Sequence, residues 1–113
     1  VFTITDNRIS DDIVETRGRG VEVRIISDND KSADFGSDIE RFERAGIQVV
    51  VDNSEHHMHH KFAIFDRRIT LTGSYNWTRS AAEYNEENIL VTHDRRIADR
   101  FQQEFERLWK KLR

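Results

Sequence analysis

Short β-branched, apolar runs alternate along this chain with stretches of helical spacing, and that alternation restricts the fold to the α/β class. The runs lie at residues 21–27, 47–51, 69–74 and 88–92. Residues 10–17 and 37–45 read as helices, with Gly18, Gly20 and Gly46 as stop signals and Ser37 with Glu40 spaced as a capping box. Residues 94–112 predict the longest helix, because Ile97, Phe101, Phe105, Leu108, Trp109 and Leu112 recur at helical spacing. Residues 57–66 read as a strand, joined to the strand at 69–74 by a tight turn at 66–68. Residues 1–5 read as the end of another strand. The expected architecture is one domain over residues 1–113, a mixed β-sheet flanked by helices, whose N-terminal beginning precedes Val1.

Composition narrows the function. A chain of 113 residues suits one core. The absence of cysteine excludes disulfides, thiolate zinc sites and cysteine nucleophiles. The formal charge of -3 gives no global attraction for nucleic acid, so a polyanionic substrate needs a local basic patch. No apolar run approaches the length of a membrane span, so a soluble domain is expected, cytoplasmic or periplasmic.

The segment from His56 to Asp66 carries the chemistry. On a strand, residues two apart share a face, so His59 and Lys61 project together. Ser74 and Asn76 repeat that spacing just after the next run, so adjacent strands would bring all four to one end of a sheet. A neutral imidazole is a competent nucleophile, and an ammonium suits a phosphate oxygen. A hydroxyl and an amide can donate to the remaining oxygens. The set describes stabilisation of a phosphoryl transition state without metal or cofactor.

The spacing His59-x-Lys61 followed by Asp66, then Gly73-Ser74-x-Asn76 and Asn85-x-Glu87-Asn88, resembles the signature of the phospholipase D superfamily. It is similar to the short, single-motif branch, which includes bacterial endonucleases and the mitochondrial cardiolipin hydrolase type. The resemblance implies the phospholipase D-like fold and a phosphodiesterase. By that resemblance His59 attacks phosphorus and forms a phosphohistidine. Lys61 and Asn76 bind the nonbridging oxygens, Ser74 assists, Asp66 positions its loop, and Glu87 hydrogen-bonds a catalytic histidine. A second histidine must protonate the leaving oxygen, and one motif supplies only one. The expected working unit is therefore a homodimer with a shared active site. The substrate implied first is single-stranded nucleic acid. A phospholipid such as cardiolipin is the second reading, and a non-catalytic nucleic-acid-binding module the third.

Blander readings stand beside these. His57 and His59 could chelate zinc, but no third ligand is evident, so no metal site is expected. His60 would share a face with Phe62 and Ile64 and reads as a core histidine; His56 and His57 would rim the pocket. Arg67, Arg68 and Arg79 are candidate substrate contacts or solvated charges. Trp77 could stack on a base or pack in the core. Asn76-Trp77-Thr78 is also a glycosylation triplet, and Asp28, Asp30 and Asp34 read as a solvated acidic turn.

Overall fold

The computed structural model describes Val1, residues 4–28 and residues 33–113, with residues 33–37 and Arg79 described through their backbone alone. The order is α1 (Asn7–Gly18), β1 (Arg24–Asp28), α2 (Ala33–Arg44), β2 (Gln48–Asp52), β3 (Phe62–Phe65), β4 (Ile69–Gly73), α3 (Arg79–Glu83), β5 (Ile89–Thr92) and α4 (Arg95–Leu112). This is the mixed α/β arrangement expected of the alternating pattern.

Caps and glycines set the helix limits. Asp6 is buried and its carboxylate accepts the Arg8 backbone N–H at 3.0 Å, so α1 starts before Ser10. Helix α2 begins at Ala33, which places Ser37 inside the helix. The proposed capping box with Glu40 is therefore not its start. Its end follows the glycine rule: Gly46 has φ 86°, and the Ile47 N–H returns to the Phe42 carbonyl at 3.0 Å. Asp94 caps α4 by accepting the Arg96 N–H at 2.9 Å.

Strands β1 and β2 pair in parallel, with Ile25 opposite Val49 and Ile26 opposite Val50. Alternation then divides the core into two layers. Ile25 packs with Ile4, Phe42 and Ile47, against the α1 and α2 side. Ile26 packs with Met58, Leu108 and Trp109, on the α4 side. The remaining strands form an antiparallel sheet in the order β3-β4-β5. Of the expected strand at residues 1–5, residues 2 and 3 lie outside the described residues, and Ile4 forms a parallel bridge with Trp77.

The largest departure from expectation is at residues 57–61, which are not strand. Pairing begins only at Phe62, opposite Thr72. Beyond Thr72, β4 pairs only with β5, at Gly73 opposite Ile89, so among the described residues no β3–β4 pair continues toward His59. At the other end of β3, Asp66 and Arg67 turn the chain at φ 55° and 58°, closed by the Arg68 N–H on the Phe65 carbonyl at 3.0 Å. Positive φ suits tight hairpins, and an aspartate tolerates it better than most residues.

Gly73 is required by crowding. A Cβ placed there would lie 2.2 Å from the Asn88 carbonyl oxygen and 2.8 Å from the Ile89 Cα, both backbone atoms that cannot swing away. Gly73→Ala is expected to destabilise the chain by about 1–3 kcal/mol in urea unfolding, the usual cost of overpacking. Unchanged stability would show that β5 can move away from β4.

A groove of about 560 Å³ lies between β1 and β3. Ile25 and Ile26 line one wall and residues 62–66 the other. Among the described residues β1 pairs only with β2 and β3 only with β4. Val1 also lines it, its backbone nitrogen donating to the Ile26 carbonyl at 2.8 Å.

Candidate active site

Register brings the site together. Phe62 opposes Thr72 and Gly73 opposes Ile89, so the residues just outside these pairs, Lys61, Ser74 and Asn88, meet at one end of the antiparallel sheet. The Ser74 N–H donates to the Asn88 carbonyl at 3.0 Å, and the Ser74 hydroxyl accepts the Asn88 N–H at 3.1 Å. That hydroxyl donates to the Glu87 carboxylate, which also accepts from the Asn85 amide at 3.3 Å.

Lys61 joins this cluster to His59. Its Nζ donates to the His59 carbonyl at 2.9 Å and lies 3.2 and 3.3 Å from the two ring nitrogens. Burial pushes the Lys61 ammonium below the usual lysine range, and the Glu87 carboxylate opposes that shift. His59 is exposed while Lys61 is half-buried. The pair is therefore a solvent-facing imidazole beside a partly sheltered cation. It is brought together by a bent loop and not by the strand alternation that the spacing suggested.

Asn76 lies two residues past Ser74, half-buried, and its Oδ1 is buried with no hydrogen-bond partner among the described residues. Thr78 caps α3, accepting the Ala81 N–H at 3.0 Å. Helix α3 escaped the sequence reading because its five residues are too few to show a period.

Other candidates are placed elsewhere. Asp66, Arg67 and Arg68 occupy the hairpin turn, separated from Lys61 by the length of β3. Arg67 faces α4 closely enough to lower the pKa of Glu106, whose principal partner is Arg24. Trp77 packs against the Ile4 cluster, and its carbonyl accepts the Thr5 N–H at 2.9 Å and the Asp6 N–H at 3.1 Å. The Arg79 side chain lies outside the described residues. His60 is not a core residue: it is exposed, 3.4 Å from Glu104, with its ring edge-on to Phe62. Without a strand at residues 57–61, it does not share the apolar face of Phe62.

Sequence reasoning missed Asp28. The sequence groups it with Asp30 and Asp34 as a solvated turn, but it is only 2% exposed. Asp30 and the side chain of Asp34 lie outside the described residues. Asp28 accepts the Met58 N–H at 2.8 Å and lies 3.2 Å from the His57 Nδ1. Its position directly after an apolar run was the available signal, since a strand end inside an α/β core buries its last residue. No helix among the described residues is long and apolar enough to cross a membrane.

Comparison with known proteins gives the family. The family model described as "Cardiolipin synthase, PLD-like domain" matches residues 1–109. A mitochondrial cardiolipin hydrolase from Chlamydomonas reinhardtii is 53% identical over 109 residues, covering 96% of this chain and 49% of that protein. The mitochondrial cardiolipin hydrolase of Xenopus tropicalis is 49% identical over 109 residues, covering 96% of this chain and 52% of its own. The chain thus spans about half the length of these curated relatives. Among solved structures, Nuc of Salmonella typhimurium, a phospholipase D family member, superposes with a TM-score of 0.94 at 26% identity, covering 100% of this chain and 76% of Nuc. The chain belongs to the phospholipase D superfamily, through the PLD-like domain that spans nearly all of it.

Proposed function

We propose that this domain hydrolyses phosphodiesters through a phosphohistidine on His59, in a two-fold dimer whose single active site takes one His59 from each subunit. The observation that carries this reading is the meeting of the His59–Lys61 pair with the Ser74–Glu87 pair at one sheet end. An unprotonated ring nitrogen of His59 attacks phosphorus. The P–O bond to the leaving group breaks, and that oxygen takes its proton from the imidazolium of the partner subunit's His59. The imidazole so produced removes a proton from water, which attacks phosphorus as the P–N bond breaks and frees His59. Lys61 and Asn76 hold the nonbridging oxygens through both steps, as an ammonium and an amide donor can. Glu87 receives the Ser74 hydroxyl within one chain, so it orders the phosphate-facing edge as well as serving a histidine.

Two substrate readings each have support. Phospholipid diesters are favoured by the 53% identical relative named as a cardiolipin hydrolase. Nucleic acid, preferably single-stranded, is favoured by the resemblance to bacterial endonucleases that the motif spacing carries. The placement of Arg67, Arg68 and Trp77 away from Lys61 removes residues that a single-strand groove at this site would use. Cardiolipin vesicles, single-stranded DNA and RNA, duplex DNA and bis(p-nitrophenyl) phosphate, each incubated in EDTA, separate these cases. We expect the small diester to be cleaved together with one polymer or lipid class. Cleavage of none would leave a binding module.

Subunit mixing tests the shared site. After equal mixing and exchange with a His59→Ala chain, activity relative to wild type at the same total chain concentration should fall to about one quarter, because only symmetric wild-type dimers have both histidines. A value of one half would mean that each chain works alone.

A further inference from the structure

Residues 57–61 present both His59 and Lys61, yet no strand ladder holds them. A nucleophile must be placed within a fraction of an ångström, so something else has to fix this segment. Two contacts do so at the residue before His59. The Met58 side chain is buried in the cluster with Ile26, Leu108 and Trp109. The Met58 N–H donates to the buried Asp28 carboxylate at 2.8 Å, and the second oxygen of that carboxylate lies 3.2 Å from the His57 ring.

The neighbouring strand repeats the device. Asp52 is the register partner of Asp28 at the C-terminal ends of the parallel pair. It too is buried, and it accepts the Ser54 N–H at 2.9 Å. Its carboxyl is held below the usual range, chiefly by the bonds from Ser54. Two adjacent buried carboxylates thus hold backbone donors at the entrance and in the middle of the segment running from β2 to β3. A buried carboxylate is costly unless its hydrogen bonds are made, so each one resists any motion of the loop that would leave it unpaired.

We propose that Asp28 is the positioning residue of this site, fixing the backbone at Met58 so that His59 and Lys61 face the phosphate together. The proposal rests on the reading of His59 as nucleophile. Asp28 acts through the loop and does not touch substrate.

The test uses Asp28→Ala and Asp28→Asn in the full chain, with bis(p-nitrophenyl) phosphate as substrate and amide hydrogen exchange at Met58 as a second readout. Asp28→Ala should accelerate Met58 exchange at least about tenfold and lower kcat by about 10²-fold, the scale of a misplaced reacting group, with KM changed less than about threefold. Asp28→Asn keeps an oxygen for the Met58 N–H and an amide for the His57 ring, so it should recover most of kcat and most of the protection. Should Asp28→Ala fail to fold, the asparagine variant still decides, because near-wild-type kcat with Met58 protected supports the anchor. An asparagine variant with Met58 protected but kcat as low as that of an unanchored loop overturns it. Normal kcat in Asp28→Ala, or Met58 exchange unchanged in that variant, also overturns the proposal while leaving His59 as nucleophile. Loss of turnover in wild type itself fails the functional reading instead.

Discussion

His59→Ala is expected to remove phosphodiester turnover, by at least about 10³-fold, because in the proposed mechanism it deletes the attacking atom and, across the proposed dimer, the proton donor as well. The imidazole is exposed, so the substitution should leave stability within about 0.5 kcal/mol, as most surface changes do. The loss is then chemical and not conformational. Acid-labile phosphate trapped on the wild-type chain during turnover should be absent from the variant. Residual activity within tenfold of wild type would remove His59 from the nucleophile role.

Lys61→Met should cost about 10²–10³-fold in kcat/KM, the scale of losing one preorganised charge on a phosphoryl oxygen. The pH dependence gives an independent reading. Burial lowers the Lys61 pKa from its ordinary 10.5, with Glu87 partly opposing. The ammonium is fully present below that lowered pKa and is lost as pH rises through it. The part of the alkaline loss in kcat/KM that reports Lys61, separate from the part set by the imidazolium of the partner subunit's His59, should therefore fall below the ordinary lysine range. Lys61→Arg keeps its charge to far higher pH, so that part should move up or vanish even where the maximal rate is reduced. An alkaline limb unmoved by Lys61→Arg would assign it to another group.

The sequence was most legible where a pattern is repeated or a stop is chemical. Helix α4 followed from six apolar residues at one spacing, and Gly46 from the need for a left-handed residue after α2. The meeting of Lys61 and Ser74 was legible because β3 and β4 are joined by a short turn and pair in register. What was illegible depends on partners far along the chain. Residues 57–61 have strand-like spacing, but a strand needs a neighbour, and β4 pairs with β3 no further than Thr72. Asp28 looks like loop chemistry until Met58 is brought to it from 30 residues away. His60 was assigned to the core by the same strand assumption and fails with it.

The groove between β1 and β3 bears on how oligomers of this domain are to be understood. Its apolar walls, Ile25 and Ile26 on one side and residues 62–66 on the other, form a concave surface shaped to receive an extended polypeptide. Two copies joined through that groove would have the mass of a dimer without bringing their two His59 residues across one phosphate. Mass and catalytic competence are thus separable quantities in this molecule, and mixed-subunit kinetics distinguish the two kinds of pair where sedimentation sees one.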